Sequence, residues 1–315
     1  MKYWKRITIL TLSVVIIGIW GYGFYLYQSV KSTANHIYEA RKPTEIVVSI
    51  QEQKGTKLNQ QGIKQETKRI DLKKRDPFTV LLMGVDERQG DRGRSDTLIV
   101  LAVNPEKGSI LMFNIPRDTR TEITGHGTID KINHAYAFGG VEMALDTVEH
   151  FLNYPINYYI KVNMEGFANM IDLIGGVQVD NAYTFKYEGY IFNKGELKLH
   201  GNEALAYSRM RYDDPRGDIG RNSRQREIIK QLLNNALQMN NMTQVDALLK
   251  QIRASVKTNI SFDDMKTFLM DYRSDLKKLD TAEIQGNGRT IDGIWYYIVK
   301  DEERERIHEL LNNQL

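Results

Sequence analysis

The sequence predicts an α/β domain, with helices on both faces of a mixed sheet, behind one N-terminal membrane-spanning helix. Three observations predict it. Residues 7–27, ITILTLSVVIIGIWGYGFYLY, run 21 residues without a charge. From Phe78 onward, short β-rich apolar runs alternate with helical periodicities, the pattern of an α/β layer architecture. The first of those runs follow one another closely enough to be hairpins, which argues for a mixed rather than a purely parallel sheet.

The tail of residues 1–6 carries Lys2, Lys5 and Arg6, and positive charge on a short flank places that end in the cytoplasm. A helix over 7–27 spans about 30 Å of hydrocarbon. Trp20, Tyr22, Tyr25 and Tyr27 crowd its outer end, as an interfacial aromatic belt does. The competing reading is a cleaved signal peptide, whose apolar core runs about 7–15 residues before a small-x-small site. This run is longer and rich in tyrosine, so a retained signal anchor is expected. The protein is then a single-pass protein of the cell membrane with its domain outside. Residues 28–75 are polar and rich in Lys and Gln, and read as an extracellular stalk. Residues 76–315 form the extracellular domain.

Within that domain FTVLLMGV (78–85), TLIVLAV (97–103) and SILMFNI (109–115) read as strands. A polar loop at 87–95 joins the first two, and the turn Asn104-Pro105-Glu106-Lys107-Gly108 joins the second pair. Val141, Ala144, Leu145, Val148 and Leu152 recur at helical spacing. A strand at 157–162 follows, then a helix over about 164–174 stopped by Gly175-Gly176. VQV at 177–179 is a strand, and a Tyr- and Gly-rich stretch comes after it. A short helix is expected at 202–207, an extended piece at 208–212 and a long helix from 222 to about 240. The last third holds at least two more helices and a late strand near 294–299.

Composition excludes several chemistries. There is no cysteine, hence no disulfide, thiolate zinc site or cysteine nucleophile. The net charge of +3 makes no case for nucleic-acid binding. G-x-S-x-G, P-loop and H-E-x-x-H motifs are missing. His36, His126, His134, His150, His200 and His308 lack metal-ligand spacing and read as structural.

Two constellations remain. Asp86 closes one strand and Asp96 opens the next, so a hairpin would set both carboxylates at its rim. Such a pair suits Mg2+, which keeps waters and takes phosphate oxygens; turn-favouring aspartates are the plainer reading. Residues 209–226, RMRYDDPRGDIGRNSRQR, hold six arginines and no lysine. Arginine is preferred where planar, bidentate contact with phosphate matters, although a solvated face neutralised by the three aspartates would look similar. Arg209 and Arg211 share a face if that piece is extended. On the following helix Arg221, Gln225, Ile228 or Ile229, and Leu232 form one face, polar first and then apolar. Helix N-termini attract anions, so an anionic ligand with a greasy tail fits this order, as does a stripe packed on the sheet. Arg117 and Lys131 stand in loops.

MGVDER, RSDTLI, IPRDT, DKINHAYAFGG and SRMRYDDPRGDIGR-x-x-RQR, in this order and spacing, resemble the LytR-CpsA-Psr family of Gram-positive bacteria, closest to its LytR branch. The resemblance implies an α/β/α sandwich around a mixed sheet. It implies a polyprenyl pyrophosphate lipid in a long apolar pocket. It further implies transfer of a phosphate-linked anionic glycopolymer, such as wall teichoic acid, to a peptidoglycan muramic acid hydroxyl. By motif, Asp86 and Asp96 fall on the family's Mg2+ (or Mn2+) ligands. Arg94, Arg117, Lys131, Arg209, Arg211, Arg221 and Gln225 fall on its pyrophosphate-binding positions. Asp218 falls on an acidic position of the same cluster, and Arg117 with Asp218 is the expected catalytic pair. Ile228, Ile229 and Leu232 are expected to line the lipid tail. Arg88 and Arg92 are additional basic residues without an implied role. Asp218 or Asp118 could accept the acceptor's proton, and the sequence does not choose between them. Two other readings share these residues: a membrane-anchored regulator, for which six cytoplasmic residues are too few to read DNA, and a pyrophosphatase with water as acceptor.

Overall fold

The computed structural model describes residues 2–42, 70–87, 90–211, 213–237, 242–272 and 278–315. The chain enters through a long helix, α1 (Lys2–Ile37). The expected hairpins then form: β1 (Phe78–Val85) lies antiparallel to β2 (Ser95–Asn104), and β2 antiparallel to β3 (Ser109–Asn114). A hairpin of β4 (Arg120–Ile123) and β5 (Thr128–Lys131) follows, then α2 (His134–Leu152). The chain continues through β6 (Tyr158–Asn163), α3 (Met164–Leu173), β7 (Val177–Asn181), β8 (Phe185–Tyr187), β9 (Tyr190–Phe192) and β10 (Gly195–Leu199). Next come α4 (Gly201–Arg209), α5 (Asp218–Leu237), α6 (Met242–Ser255), β11 (Val256–Thr258) and α7 (Phe262–Thr267). A π-helical turn (Phe268–Tyr272), β12 (Lys278–Glu283), β13 (Asn287–Ile291), β14 (Ile294–Ile298) and α8 (Asp301–Gln314) complete it.

The central sheet has the order β11-β6-β1-β2-β3-β12. β6 runs parallel to β1 and β12 parallel to β3, while the other pairings are antiparallel, so the sheet is mixed as expected. Strand periodicity sorts its side chains onto two faces. Leu81, Met83, Leu98, Val100 and Phe113 pack against α2 and against Ile307 and Leu311 of α8. Phe78, Val80 and Val103 face the other way, onto Leu72 and Tyr272. A second core joins β7, β8 and β9 to α4 and α5 through Val179, Phe185, Phe192, Tyr207 and Ile228.

Several expectations change. α5 begins at Asp218, four residues before the apolar stripe suggested, because Asp218 supplies an acidic first turn. α4 runs through Arg209, with Met210 as its C-cap, so residues 208 and 209 are helical rather than extended, and the Asp214 N–H turns back to the Arg211 carbonyl at 3.2 Å. The β4–β5 hairpin was not legible, because TEI and TID are too short and polar to carry a period-2 signal. Gly140 interrupts α2 with φ of 70°, and the apolar stripe begins only after it.

The segment read as a stalk is in part built into the body. Thr33, Ala34 and Ile37 are buried. Arg253 of α6 donates to the Ser32 hydroxyl at 2.7 Å, and Tyr25, within the 7–27 run read as an anchor, donates to Asp246 at 3.3 Å. Arg41 then reaches α2, donating to Asp146 at 2.7 Å and to Glu149 at 2.6 and 2.8 Å. Leu72 joins the core. Residues 43–69, the middle of that segment, lie outside the described residues. So do the side chains of 4–16, which include the first ten residues of the 7–27 run read as an anchor; among the described residues no helix is long and apolar enough to cross a membrane.

Candidate functional site

Loops and helix ends converge at one end of the central strands β1, β2 and β3. Asp86 leaves β1 and Asp96 lies at the start of β2. The backbone turns between them at Gly93 (φ 69°), where a Cβ would come 2.1 Å from the Asp86 carbonyl oxygen. The Asp86 N–H donates to the Arg94 carbonyl at 3.2 Å. Arg117 and Asp118 follow β3, Lys131 ends β5, and Asn133 precedes α2. Arg211 follows α4, and Asp218 and Arg221 open α5.

Buried Asp118 is the hub. Its carboxylate takes Lys131 Nζ at 2.8 Å and Arg211 Nη1 at 3.2 Å, with Arg117 Nε at 3.9 Å. Arg117 Nη1 also lies 2.9 Å from Asp96, whose other oxygen accepts from Asn133 Nδ2 at 3.1 Å. Arg221 Nη2 lies 2.6 Å from Asp218, and Arg211 Nε lies 3.8 Å from it. The Arg211 guanidinium stacks 4.7 Å above the Trp295 ring. Four cations are thus interleaved with three carboxylates. Burial works against the Arg117 charge, but Asp96 and Asp118 outweigh it and hold that guanidinium above its ordinary value. Arg221, only 3% exposed, goes the other way: burial disfavours its charge more than Asp218 supports it.

The cluster keeps unused hydrogen-bonding capacity. Nε and Nη2 of Arg221, Nε of Arg117 and both carboxylate oxygens of Asp218 are buried without a hydrogen-bond partner. The Arg221–Asp218 contact is close but not aligned as a hydrogen bond. Buried polar groups are almost always bonded. A group of preorganised cations with free donors can receive an anion without reorganising.

The remaining candidates are placed differently. Arg209, at the end of α4, lies 3.9 Å from Glu188 and not on the Asp118 hub. Arg94 is exposed on the loop before β2. Gln225 is buried and accepts from Asn114 Nδ2 at 3.2 Å, in a network that Arg226 extends to Glu283. Ile228 is fully buried in the second core and Leu232 packs against it, while Ile229 is half-buried. Arg92 donates to the Phe138 carbonyl at 3.0 Å, and Arg88 lies outside the described residues. Sequence reasoning missed Asn133 and Trp295. Asn133 stood inside the quoted DKINHAYAFGG motif, whereas Trp295 carried no signal.

The donor set at Asp86 and Asp96 fits a hard divalent cation. The two residues stand at the mouth of one hairpin and offer only carboxylate oxygens. Asp96 retains lone pairs beyond those facing Arg117 and Asn133. Among the described residues no group of three or more acidic or imidazole side chains is assembled, so such an ion would keep much of its water or take ligand oxygens.

The profile of the LytR-CpsA-Psr (LytR_cpsA_psr) family matches residues 24–313. The polyisoprenyl-teichoic acid–peptidoglycan teichoic acid transferase TagU of Bacillus subtilis (strain 168) is 44% identical over 292 residues, 92% of this chain and 89% of TagU. A crystal structure of B. subtilis TagU superposes with a TM-score of 0.61 at 43% identity, covering 76% of this chain and 97% of that one. A structure from Enterococcus faecalis described as a transcriptional regulator gives 0.69 at 38% identity, covering 78% and 90%. TagT bound to LIIa-WTA gives 0.66 at 28% identity, covering 79% and 94%.

Proposed function

The chain belongs to the LytR-CpsA-Psr family, and on that premise we propose that it is a teichoic acid transferase. It moves a phosphate-linked anionic glycopolymer from a polyprenyl pyrophosphate carrier to peptidoglycan. The observation that carries this reading is the buried cation cluster with unused donors, which fits a pyrophosphate.

Phosphoryl transfer needs mainly positioning and charge stabilisation. Arg117, Lys131, Arg211 and Arg221 bind the pyrophosphate oxygens. Asp118 holds three of these cations in place before the substrate arrives. The acceptor hydroxyl attacks the phosphorus that bears the polymer, the bond from that phosphorus to the bridging oxygen breaks, and polyprenyl phosphate leaves. Asp218 takes the hydroxyl proton. Arg221 and Arg211 lie 2.6 and 3.8 Å from one of its oxygens, yet neither oxygen accepts a hydrogen bond, whereas Asp118 accepts one from Arg211 and has Lys131 Nζ at 2.8 Å. A divalent cation held by Asp86 and Asp96 would supply further neutralisation of phosphate charge.

Residues 7–27 anchor the chain in the cell membrane with the domain outside, where peptidoglycan is. Two measurements test the reading. Purified protein given a lipid-linked polymer should release polyprenyl phosphate and label a glycan acceptor; release of free polymer phosphate with and without acceptor alike identifies a pyrophosphatase. Protease added to intact protoplasts should digest the domain; a domain that survives until lysis is cytoplasmic, and the proposed acceptor is then out of reach.

A further inference from the structure

A second polar network lies beside the charge cluster, and the transfer chemistry uses none of it. Tyr136, in the first turn of α2, is buried, and its hydroxyl donates to the Glu87 carboxylate. Lys161 of β6 places Nζ 3.1 and 3.2 Å from the two Glu87 oxygens and 3.1 Å from the Tyr136 oxygen. The Lys161 ammonium also lies 5.7 Å from the Tyr136 ring centre. Three polar side chains from three elements thus bond to one another at the exit of β1.

The place of this network in the chain is informative. Glu87 directly follows Asp86. The strand that leads to it, β1, is in parallel register with β6, Met83 opposite Lys161 and Val85 opposite Asn163. On its other side the Asp86 N–H is held by the Arg94 carbonyl. The chain at 85–87 is therefore held from both directions. The start of α2 also reaches the second carboxylate, through the Asn133 bond to Asp96. One helix start braces both acids, by Tyr136 on Glu87 and by Asn133 on Asp96.

We infer that Glu87, Tyr136 and Lys161 are positioning residues for a divalent-cation site, holding Asp86 where it can share an ion with Asp96. This rests on the cation reading of Asp86 and Asp96. Side chains that orient metal ligands without touching the ion change affinity by about 10–100-fold when removed. A network that only stabilised the fold would change melting temperature and leave ion affinity alone.

Mn2+ is the probe, because its free aqueous signal can be read by electron paramagnetic resonance without turnover. The full chain in detergent is titrated as wild type and as Tyr136→Phe, Glu87→Gln, Asp96→Asn and Tyr159→Phe, with the melting temperature of each. Tyr159→Phe is the control, since it removes an equally buried hydroxyl whose bond, 3.0 Å to the Glu39 carbonyl, lies outside this network. The expected result is Mn2+ affinity weakened at least about tenfold in Tyr136→Phe and Glu87→Gln, and unchanged in Tyr159→Phe. Wild-type affinity in both network variants, with affinity lost in Asp96→Asn, overturns the positioning role and leaves the cation reading standing. A wild-type protein that takes up no Mn2+ overturns both. Should Tyr136→Phe fail to fold, Glu87→Gln, nearly isosteric with the native side chain, decides alone by the same criterion.

Discussion

Arg221 and Arg224 stand one turn apart on α5, and both are buried, yet their surroundings are opposite. Arg224 donates from Nε to the Tyr207 carbonyl at 2.9 Å, from Nη2 to the Met210 carbonyl and from Nη1 to Asp214. Its guanidinium also lies 5.4 Å from the centre of the Phe185 ring and 5.6 Å from that of Tyr207. Arg221 has an acid beside it, but Nε and Nη2 are without hydrogen bonds and its charge is disfavoured by burial. The same residue type on the same helix therefore serves two ends. Fully bonded, it ties the 207–214 segment to α5. Under-bonded, it pairs with Asp218 but keeps donors whose burial is costly, and an anion would relieve it.

The largest effect that could break this contrast is on stability. Arg224→Ala should lower the unfolding free energy by about 3–5 kcal/mol, since it leaves the enclosed Asp214 carboxylate without its partner. Urea unfolding measures it, and a loss below about 1 kcal/mol would mean that Arg224 is no more structural than Arg221. Arg221→Met should behave differently. It should cost less stability than Arg224→Ala, because Nε and Nη2 of Arg221 give up no hydrogen bond and Asp218 keeps Arg211 Nε at 3.8 Å. Calorimetric affinity for a short-chain polyprenyl pyrophosphate should fall by about 1.5–3 kcal/mol, which is roughly tenfold or more. Unchanged affinity would remove Arg221 from the binding site.

A smaller effect sharpens the structural half through pH. Burial pushes the Asp214 carboxyl up, but hydrogen bonds from the Arg216 N–H, Arg224 and Tyr183 outweigh it and hold the group below its ordinary value. A depressed folded value means stability that is fully present above the unfolded pKa of about 3.9 and lost as pH falls through the folded one. Asp214→Asn should accordingly flatten the fall in stability below about pH 4, in unfolding curves taken against wild type. A slope equal to that of wild type would assign the acid sensitivity to other carboxylates. The smallest effect is expected at Arg209. Its partner Glu188 is 3.9 Å away and both side chains are about two-fifths exposed. Arg209→Ala should cost less than about 1 kcal/mol in stability and leave pyrophosphate affinity close to wild type. A tenfold loss of affinity would mean that Arg209 swings from Glu188 onto the ligand.

Much of the fold was legible because its signals are local. The runs 78–85, 97–103 and 109–115 carry β-rich composition and turn chemistry within their own residues, and they pair as those signals say. The stripe at 141–152 is likewise a helix face. The hairpin that delivers Lys131 was not legible, because its strands are short and polar and take their shape from packing beside Tyr296 and Tyr297. The docking of residues 30–42 was hidden for a similar reason. A polar composition looks like a linker until Arg41 meets Glu142, Asp146 and Glu149 on a helix a hundred residues away.

By itself the sequence determined which residue types were available and their order. Those were two aspartates at successive strand ends, an arginine-only run, Arg117 and Lys131 in loops, and one long uncharged stretch at the N-terminus. Tertiary structure alone decided how that arginine run divides. Arg211 and Arg221 join Arg117 and Lys131 around Asp118 and Asp218, Arg224 closes on Asp214, Arg226 on Glu283, and Arg209 turns to Glu188. The physical reason is that the worth of a charge depends on its partners and on the water it has lost. Both are set by residues distant along the chain, which no local pattern of charges can report.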